Sequence, residues 1–572
     1  MADVNLLYKL WCEKATDDKD LSDELKSISN DAERINDRFY RDLAFGTGGL
    51  RGVIGAGTNR MNIYTVRKAS QGLADYLNAN FDNPSCAIAY DSRIKSDLFA
   101  KEAARVLAGN GVKVHIYKEL MPTPMLSFAV RALKCDAGIV VTASHNPAKY
   151  NGYKVYGSDG CQITLNAAEL ILDCISKIDC FDGIKLADFD KAVADNKISY
   201  IGDDVIDQFY QKVEAQSIHP DVVAKSGLKI VYSPLNGAGN KPVREILKRI
   251  GITDVVVVPE QENPDGNFPT CPFPNPEIRE ALQRGLELCK TERPDLLLAT
   301  DPDCDRVGIA VKNGDEYVLF TGNEVGAMLL EYVAKERIAK GTMPKNPIAV
   351  KTIVTTDMAK AIAEEYGVEI IEVLTGFKFI GEQIGFLEEK GEEDRYIFGF
   401  EESYGYLSGG YVRDKDAVNG SMLICEMAAF YRANGSSLIE EREKMYKKYG
   451  TYFHKQESFT CEGETGMERM SQIMEDLRKN PPKTVADVKV TGMSDYMASK
   501  TTSFEDDKVT EIDLPKSDVI SFYLEGNGSL IIRPSGTEPK IKIYYTTKAS
   551  TLDEAADIQS KLSADFSKIL GF

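Results

Sequence analysis

Short continuous apolar runs alternate with amphipathic segments along most of the chain. The first group of runs is CAIAYDSR (86–93), VKVHIY (112–117) and AGIVVTASHNP (137–147), with helical periodicity over about 96–109. Apolar runs of strand length are typical of strands buried on both faces of a sheet, and intervening helices favour parallel connections. The pattern therefore predicts an α/β unit with a mixed, mainly parallel sheet.

This order of runs and helices returns twice and then changes. It recurs over 228–306 and over 348–407, whereas 517–547 reads as antiparallel strands joined by turns, followed by a helix over about 552–569. We therefore expect an α/β protein of three related domains with mixed sheets, plus a C-terminal α+β domain with an antiparallel sheet. The predicted boundaries are 1–205, 206–322, 323–455 and 456–572, with a hinge near 450–460.

Length and charge limit what the chain can be. At 572 residues it is too long for one hydrophobic core, because cores stop growing near roughly 250–300 residues. The formal net charge of −19 argues against nucleic acid or an anionic membrane surface as the main partner. A phosphorylated substrate would need a local basic site that overrides this repulsive background.

The N-terminus and the cysteines indicate a cytoplasmic protein. MADVNLLYKLWCEKATDDKD (1–20) mixes charged with apolar residues, so we expect no signal peptide, and the apolar runs elsewhere are of strand length. The 11 cysteines are scattered without CxxC pairs, which is unlike a disulfide framework or a structural zinc site. Reduced thiols are the expectation.

The loop TASHNPAKYNGYKVYG (142–157) follows the first unit's last apolar run. It places Ser144 at the end of a strand, next to His145. Because successive side chains diverge, we do not expect these two neighbours to form a nucleophile–base hydrogen bond. There is no GxSxG elbow, which disfavours a hydrolase. On residue types alone, the loop is more consistent with a polar turn than with a catalytic site.

The loop DPDCDR (301–306) is the stronger chemical signal. Asp301, Asp303 and Asp305 directly follow the run LLLAT. Carboxylates this crowded are costly unless a cation or hydrogen bonds offset their charge, and hard oxygen ligands favour Mg²⁺, Mn²⁺ or Ca²⁺ over zinc. An EF-hand would need glycine at 306 and glutamate at 312, where the chain has arginine and lysine. The residues favour a metal site over a solvated acidic turn.

Three further loops offer polar groups. GFEESYGYL (399–407) ends the third unit's last strand with carboxylates and a serine, suited to sugar hydroxyls or to capping a turn. RPSGTEPK (533–540) combines a guanidinium, two hydroxyls and open amides, which together suit an oxyanion. GTGGLRG (46–52) is a second glycine-rich turn, with Arg51, and it lacks the spacing of a dinucleotide fingerprint.

The loops TASHNP, DPDCDR, GFEES and RPSGTEPK, in this order along the chain, resemble the four signature loops of the α-D-phosphohexomutase superfamily, in its phosphoglucomutase/phosphopentomutase branch. The resemblance covers nearly the whole chain and includes PNPE (274–277) and LTGFK (374–378). It implies four domains around one central cleft. The implied reaction converts glucose 1-phosphate and glucose 6-phosphate reversibly, through a phosphoserine enzyme and a glucose 1,6-bisphosphate intermediate that also acts as activator.

The resemblance also implies roles for individual residues. Ser144 would carry the phosphoryl group and, with the three aspartates, bind one Mg²⁺ per chain. His145, Lys154 and Arg51 would complete the catalytic set. The implied substrate-binding residues are Thr47, Arg306, Lys378, Glu401, Ser403, Arg533, Ser535, Gly536 and Thr537. The cations among these residues would supply the basic site that the net charge demands.

One departure leaves the proton carrier open. Many relatives have a histidine where this chain has Asn236, and some end the sugar loop with a histidine where it has Tyr404 and Gly405. Lys154 and His145 remain as candidates for the general acid–base. A phosphopentomutase, a sugar-1,6-bisphosphate synthase and a catalytically silent sugar-phosphate sensor remain alternatives, and we expect a monomer.

Overall fold

The computed structural model describes residues 3–46, 48–461, 466–526, 528–535 and 540–572. Within these ranges, no helix combines the length and apolar character that crossing a membrane requires. Four sheets follow one another along the chain, each with its own helices.

Three helices precede the first sheet, and Trp11 of the first packs against Phe39 of the third and against Tyr64 of the helix Ile63–Asn80. The helices of this first unit are Val4–Lys14, Lys19–Ser27, Ala32–Phe39, Ile63–Asn80, Ser96–Gly109, Thr123–Ala132, Leu165–Ser176 and Phe189–Ala194. Its strands are Phe45–Gly46, Gly49–Val53, Ser85–Tyr90, Lys113–Ile116, Ala137–Val141, Tyr150–Gly157 and Ile198–Tyr200. Ala137–Val141 lies at the centre, parallel to Ser85–Tyr90 and antiparallel to Tyr150–Gly157.

The second unit has helices Asp203–Glu214, Pro220–Lys225, Asn240–Arg249, Pro259–Glu262 and Arg279–Glu292. Its strands are Lys229–Ser233, Asp254–Val257, Leu296–Thr300, Val307–Asn313 and Glu316–Phe320. Leu296–Thr300 is parallel to Lys229–Ser233 and antiparallel to Val307–Asn313, and all its residues are buried.

The third unit has strands Ile348–Thr352, Glu369–Val373, Tyr396–Glu401 and Gly405–Leu407. Its helices are Gly322–Ala339, Met358–Tyr366, Phe377–Glu389, Ala417–Ala433 and Leu438–Tyr449, with a 3₁₀ turn at Glu393–Arg395. Tyr396–Glu401 is parallel to Ile348–Thr352 and antiparallel to Gly405–Leu407.

The fourth unit is antiparallel in every strand pair of its described residues. Its strands are Thr451–Thr460, Thr484–Val485, Val488–Asp495, Lys500–Ser503, Val509–Glu511, Ile520–Leu524, Gly528–Pro534 and Lys540–Ala549. Its helices are Gly466–Lys479 and Leu552–Ile569, which cover one face of the sheet with Met474 and Phe566 in the core.

The fold class predicted from the hydrophobic pattern is confirmed: three mixed α/β sheets precede an antiparallel sheet. The expectation of mainly parallel sheets was wrong for the first two units, where parallel and antiparallel pairs are equal in number among the described strands. The added antiparallel strands, such as Val307–Asn313, follow a loop rather than a helix, so the chain returns beside the strand it has just left.

Candidate active site

In each of the three mixed sheets, the candidate functional residues lie at the carboxyl end of a parallel strand. Ser144 follows Ala137–Val141, Asp301 follows Leu296–Thr300, and Glu401 ends Tyr396–Glu401. In open α/β sheets, ligands bind beyond these ends. The three loops and the fourth unit together border one cleft of about 740 Å³.

Ser144 is held in an uncommon backbone conformation at the base of this cleft. Its φ is 50°, in the left-handed region that L-residues rarely adopt. Its N–H donates to Thr142 Oγ1 at 2.8 Å, and the Thr142 hydroxyl donates to Asp91 Oδ2 at 2.7 Å. The Ser144 hydroxyl donates to Asp301 Oδ2 at 2.8 Å, so the nucleophile candidate directly contacts the aspartate loop 301–306.

The expectation that Ser144 and His145 do not bond was wrong. Ser144 Oγ lies 3.1 Å from His145 Nδ1. The divergence of neighbouring side chains holds for extended backbone, whereas the left-handed conformation of Ser144 turns the two side chains to the same side. With Asp301 as acceptor of the single hydroxyl hydrogen, Ser144 accepts from a protonated Nδ1. Burial, and then the neighbouring Arg306 and Arg51, hold the pKa of His145 well below its usual value of 6.5, which favours a neutral ring.

The three aspartates form one buried cluster. One carboxylate oxygen from each of Asp301, Asp303 and Asp305 lies within 4.8 Å of the others. Asp301 Oδ1 closes the loop by accepting from the N–H groups of Asp305 and Arg306, each at 3.1 Å. Asp303 Oδ1 and Asp305 Oδ1 are buried and have no hydrogen-bond partner.

The electrostatics of this cluster fit a cation. Burial, and then Asp303 and Asp305, raise the pKa of Asp301 well above its usual value. Burial also opposes ionisation of Asp303, but Lys154 and the bond to Asp301 outweigh it and hold that pKa well below its usual range. Buried, unpartnered carboxylate oxygens grouped in this way are hard ligands suited to a divalent cation such as Mg²⁺.

Two lysines border the aspartates from different units. Lys154 Nζ lies 3.1 Å from Asp303 Oδ2, and Lys415 Nζ lies 2.9 Å from Asp305 Oδ2. Lys415 also contacts Asp414, which accepts from the buried Tyr156 hydroxyl at 2.7 Å. Lys154 was among the predicted residues, whereas Lys415 was missed. Its signal was the charged stretch RDKD (413–416) directly before a buried helix.

Arg306 and Arg51 also line the cleft. Arg306 pairs with Glu277. Glu277 belongs to the PNPE stretch, for which the sequence predicted no role. Burial disfavours the charged guanidinium of Arg306, but Glu277 and Asp305 outweigh this effect and raise its pKa. Burial lowers the pKa of Arg51, which nevertheless stays far above neutrality as for any arginine. The arginines thus supply positive charge beside Ser144.

The sugar-loop candidates also line the cleft. Glu401 accepts from the N–H of Gly376 at 3.0 Å, and this bond fixes the turn that leads to Lys378. Ser403 and Lys378 both border the cleft. Burial lowers the pKa of Lys378. Glu402, which was missed, lies 3.3 Å from the hydroxyls of Thr352 and Thr355, and burial together with Glu401 raises its pKa to about 7.

The fourth unit contributes cations to the cleft. Arg533, at the end of Gly528–Pro534, and Lys542 of the paired strand both line it. Burial, and then Arg533, lower the pKa of Lys542. Ser535 donates its N–H to the carbonyl of Lys540 at 2.8 Å. The predicted residues Thr47, Gly536 and Thr537 lie outside the described residues.

Polar contacts join the first three units around the aspartates. The Thr123 hydroxyl donates to Asp303 Oδ2 at 2.9 Å, and the Thr123 N–H donates to the Asp303 carbonyl at 2.9 Å. Arg131 and Arg413, from the first and third units, share Glu388. The Thr123 bonds thus tie the first unit to the aspartate loop, and the ion pair between Arg131 and Glu388 ties the first unit to the third.

Comparison with known proteins identifies the same four units. Models of the phosphoglucomutase/phosphomannomutase family match as alpha/beta/alpha domain I (42–180), domain II (206–314), domain III (321–449) and the C-terminal domain (473–563). The phosphoglucomutase of Staphylococcus aureus strain MRSA252 is 38% identical over 552 residues, which are 96% of this chain and 97% of that relative. The protein of strain USA300 is 37% identical over the same length, with the same coverage.

Solved structures show the same fold. The phosphoglucomutase parafusin from Paramecium, in an open form, superposes with a TM-score of 0.71 at 18% identity, covering 93% of this chain and 96% of that one. A phosphoglucomutase/phosphomannomutase family protein from Burkholderia thailandensis gives a TM-score of 0.65 at 19% identity, covering 92% and 97%.

Proposed function

Because the chain belongs to the phosphoglucomutase/phosphomannomutase family, we propose that it is a phosphoglucomutase. It would interconvert glucose 1-phosphate and glucose 6-phosphate through a phosphoserine at Ser144 and a glucose 1,6-bisphosphate intermediate. The two Staphylococcus aureus relatives are named phosphoglucomutase, and this chain aligns with 97% of each of them.

One observation carries the proposal. The Ser144 hydroxyl lies 2.8 Å from Asp301, at a buried cluster of three carboxylates and at the base of a cleft lined with lysine and arginine. A nucleophile, a site for a hard cation and a surrounding positive charge are what phosphoryl transfer needs, since the chain must position reactants and stabilise charge on phosphoryl oxygens.

The metal ligands would be Asp301, Asp303, Asp305 and an oxygen on Ser144. Bound Mg²⁺ would neutralise charge on the transferring phosphoryl oxygens. The protein side chains do the remaining work: Arg306 and Arg51 would hold the transferred phosphoryl group, and His145 would orient Ser144 Oγ through Nδ1.

We assign the proton transfer to Lys154 rather than to His145. Lys154 lines the cleft and touches Asp303, so it is close to the transferred group. His145 is already engaged with Ser144, and its low pKa makes the neutral ring a poor acid. The Lys154 ammonium would give its proton to the departing Ser144 Oγ, and the resulting amine would take the proton of the attacking sugar hydroxyl. The return of the other phosphoryl group to Ser144 would run the same exchange in reverse.

Residues of the third and fourth units would bind the sugar phosphate. Glu401 and Ser403 would accept and donate hydrogen bonds to its hydroxyls. Arg533, Ser535 and Lys378 would hold the phosphate that is not transferred, together with the predicted Gly536 and Thr537, and Thr47 would join Arg51. Lys542, which faces the same part of the cleft, would add charge there.

We further propose that the functional chain is a monomer built of domains 1–205, 206–322, 323–455 and 456–572. The first three would stay joined while the fourth moves to let the bisphosphate turn. The cations that converge from all four domains would bind the negatively charged bisphosphate. They would form the local positive site that a phosphorylated substrate needs in a chain with a net charge of −19.

A coupled assay of the purified protein tests the function. It compares glucose 1-phosphate, mannose 1-phosphate and ribose 1-phosphate under Mg²⁺, each with and without glucose 1,6-bisphosphate. We expect fastest turnover of glucose 1-phosphate, activated by the bisphosphate, and an intact mass with one added phosphate that Ser144→Ala lacks. Faster turnover of ribose 1-phosphate would identify a phosphopentomutase, and bisphosphate that accumulates without net isomerisation would identify a synthase.

A further inference from the structure

Arg93 lies behind the phosphoserine loop rather than in the cleft. It follows the strand Ser85–Tyr90 in the motif DSR, and its side chain is 0% exposed. The side-chain Nε of Arg93 lies 3.4 Å from Asp91 Oδ2, and the backbone N–H of Arg93 donates to Asp91 Oδ1 at 2.9 Å. Asp91 is the residue that also accepts from Thr142, so one carboxylate joins the arginine to the start of the loop.

The guanidinium of Arg93 donates to four backbone carbonyls of the same loop. It reaches the oxygens of Pro147 at 3.1 Å and Tyr150 at 3.0 Å, as well as those of Ser144 and Asn146. Only arginine offers enough donors in one rigid plane for this, because a lysine presents its donors at a single point. The path of the loop from 144 to 150 is therefore set around one side chain.

A segment of the second unit closes the other side of Arg93. The ring of Phe268 lies 5.1 Å from the guanidinium carbon, in a cation–π contact. Gly266 permits this approach, since a Cβ there would lie 2.4 Å from the N–H nitrogen of Ile94. Phe268 belongs to the unit that carries the three aspartates, so Arg93 lies between the Ser144 loop and a segment of that second unit.

We propose that Arg93 is a positioning residue, whose guanidinium holds Ser144 in the left-handed conformation that directs Oγ toward Asp301. A non-glycine residue in this conformation is strained and persists only where its surroundings impose it. The bonds to the Ser144 carbonyl and its neighbours supply that constraint. Without them the loop would relax and Oγ would leave its bond to Asp301.

This inference rests on the proposed function and is tested by kinetics of three variants. Arg93→Lys keeps the positive charge beside Asp91 but loses the planar set of guanidinium donors. Arg93→Ala leaves a space that added guanidinium can fill. Arg105→Ala is the matched control, because Arg105 also binds a carbonyl, that of Ala187 at 3.0 Å, and a glutamate in the same unit, away from the cleft.

We expect Arg93→Lys to lower kcat for glucose 1-phosphate about 100-fold, the effect of a roughly 1 Å misplacement, with KM changed less than about threefold. Guanidinium should restore kcat in Arg93→Ala about tenfold or more and leave Arg105→Ala unchanged. The rate at which Ser144 is phosphorylated by glucose 1,6-bisphosphate can be followed by intact mass. This rate should be correspondingly lower in Arg93→Lys than in the wild type.

The outcomes separate this inference from the proposed function. A wild-type protein inactive on every sugar phosphate would refute the function itself. An active wild type with an equally active Arg93→Lys would refute only the positioning role. Loss of the folded state in both Arg93 variants would also overturn it, because Arg93 would then serve the stability of the whole unit.

Discussion

The Thr123 hydroxyl offers a selective way to disturb the metal loop from a neighbouring domain. Thr123 is fully buried, its hydroxyl is 2.9 Å from Asp303 Oδ2, and its N–H independently bonds the Asp303 carbonyl. Thr123→Val removes only the hydroxyl and keeps the shape of the side chain and the backbone bond. Lys154, at 3.1 Å, then remains as a side-chain donor to Asp303 Oδ2, and the carboxylate is held less firmly beside the other two.

The expected size of the effect follows from these contacts. Burial raises the pKa of Asp303, while Lys154 and, among weaker contributions, the Thr123 hydroxyl lower it, so the variant binds a proton more readily in competition with a cation. Partners of metal ligands typically contribute a factor of 10–100 in affinity. We expect Kd for Mg²⁺ to rise about 10- to 100-fold. The lost hydrogen bond to a charged group should also cost about 1.5–3 kcal/mol of stability.

Isothermal titration of Mg²⁺ into the purified protein measures this Kd, and kcat as a function of Mg²⁺ concentration gives a second value. Thr65→Val is the matched control, because Thr65 is another buried threonine in the first turn of a helix, and its hydroxyl donates to the Arg60 carbonyl at 2.9 Å. The control should lose stability and keep its affinity for Mg²⁺. A Thr123→Val protein whose Kd stays within twofold of wild type would refute the reasoning.

Three further outcomes are expected. Lys154→Met should lower kcat by about 10²–10⁴, the usual contribution of a general acid–base, and a loss below tenfold would remove Lys154 from that role. Glu277→Gln should release Arg306 and raise KM for glucose 1-phosphate about tenfold, with circular dichroism unchanged; an unaltered KM would contradict this. Glu402, with a pKa raised from 4.5 to about 7 by burial and by Glu401, binds its proton more tightly in the folded state, so wild-type stability should fall as pH rises from about 4.5 to about 7. Thermal unfolding at pH 5 and pH 8 should show Glu402→Gln gaining up to about 3 kcal/mol relative to wild type at the higher pH, and an equal difference at both pH values would count against it.

Much of the fold could be predicted from local pattern. The helix expected over about 96–109 is Ser96–Gly109, and the terminal helix expected over about 552–569 is Leu552–Ile569. Both have strong periodicity and clear ends. The hairpin strands added to the first two sheets were harder to predict, because an apolar run does not state whether its neighbour in the sheet is parallel or antiparallel.

Candidate residues were found where chemistry is concentrated in one short loop. The aspartates at 301, 303 and 305 stand together in the chain and also in space. Lys415, Glu277 and Thr123 were missed because each is distant from this loop in sequence. The charged stretch around Lys415 and the PNPE stretch that contains Glu277 do not show which group each side chain contacts. Their roles arise from distances that only the packing of three domains produces.

The sequence by itself determined the order of the four units, the carboxylate cluster and the position of Ser144 after a buried strand, since these depend on neighbours along the chain. The tertiary structure decided how Ser144 is directed. Its left-handed backbone, its bond to Asp301 and its contact with His145 depend on Arg93 and on a loop from another domain. A hydrogen bond acts over about 3 Å in space whatever the separation in sequence, so such contacts exist only once the domains have packed.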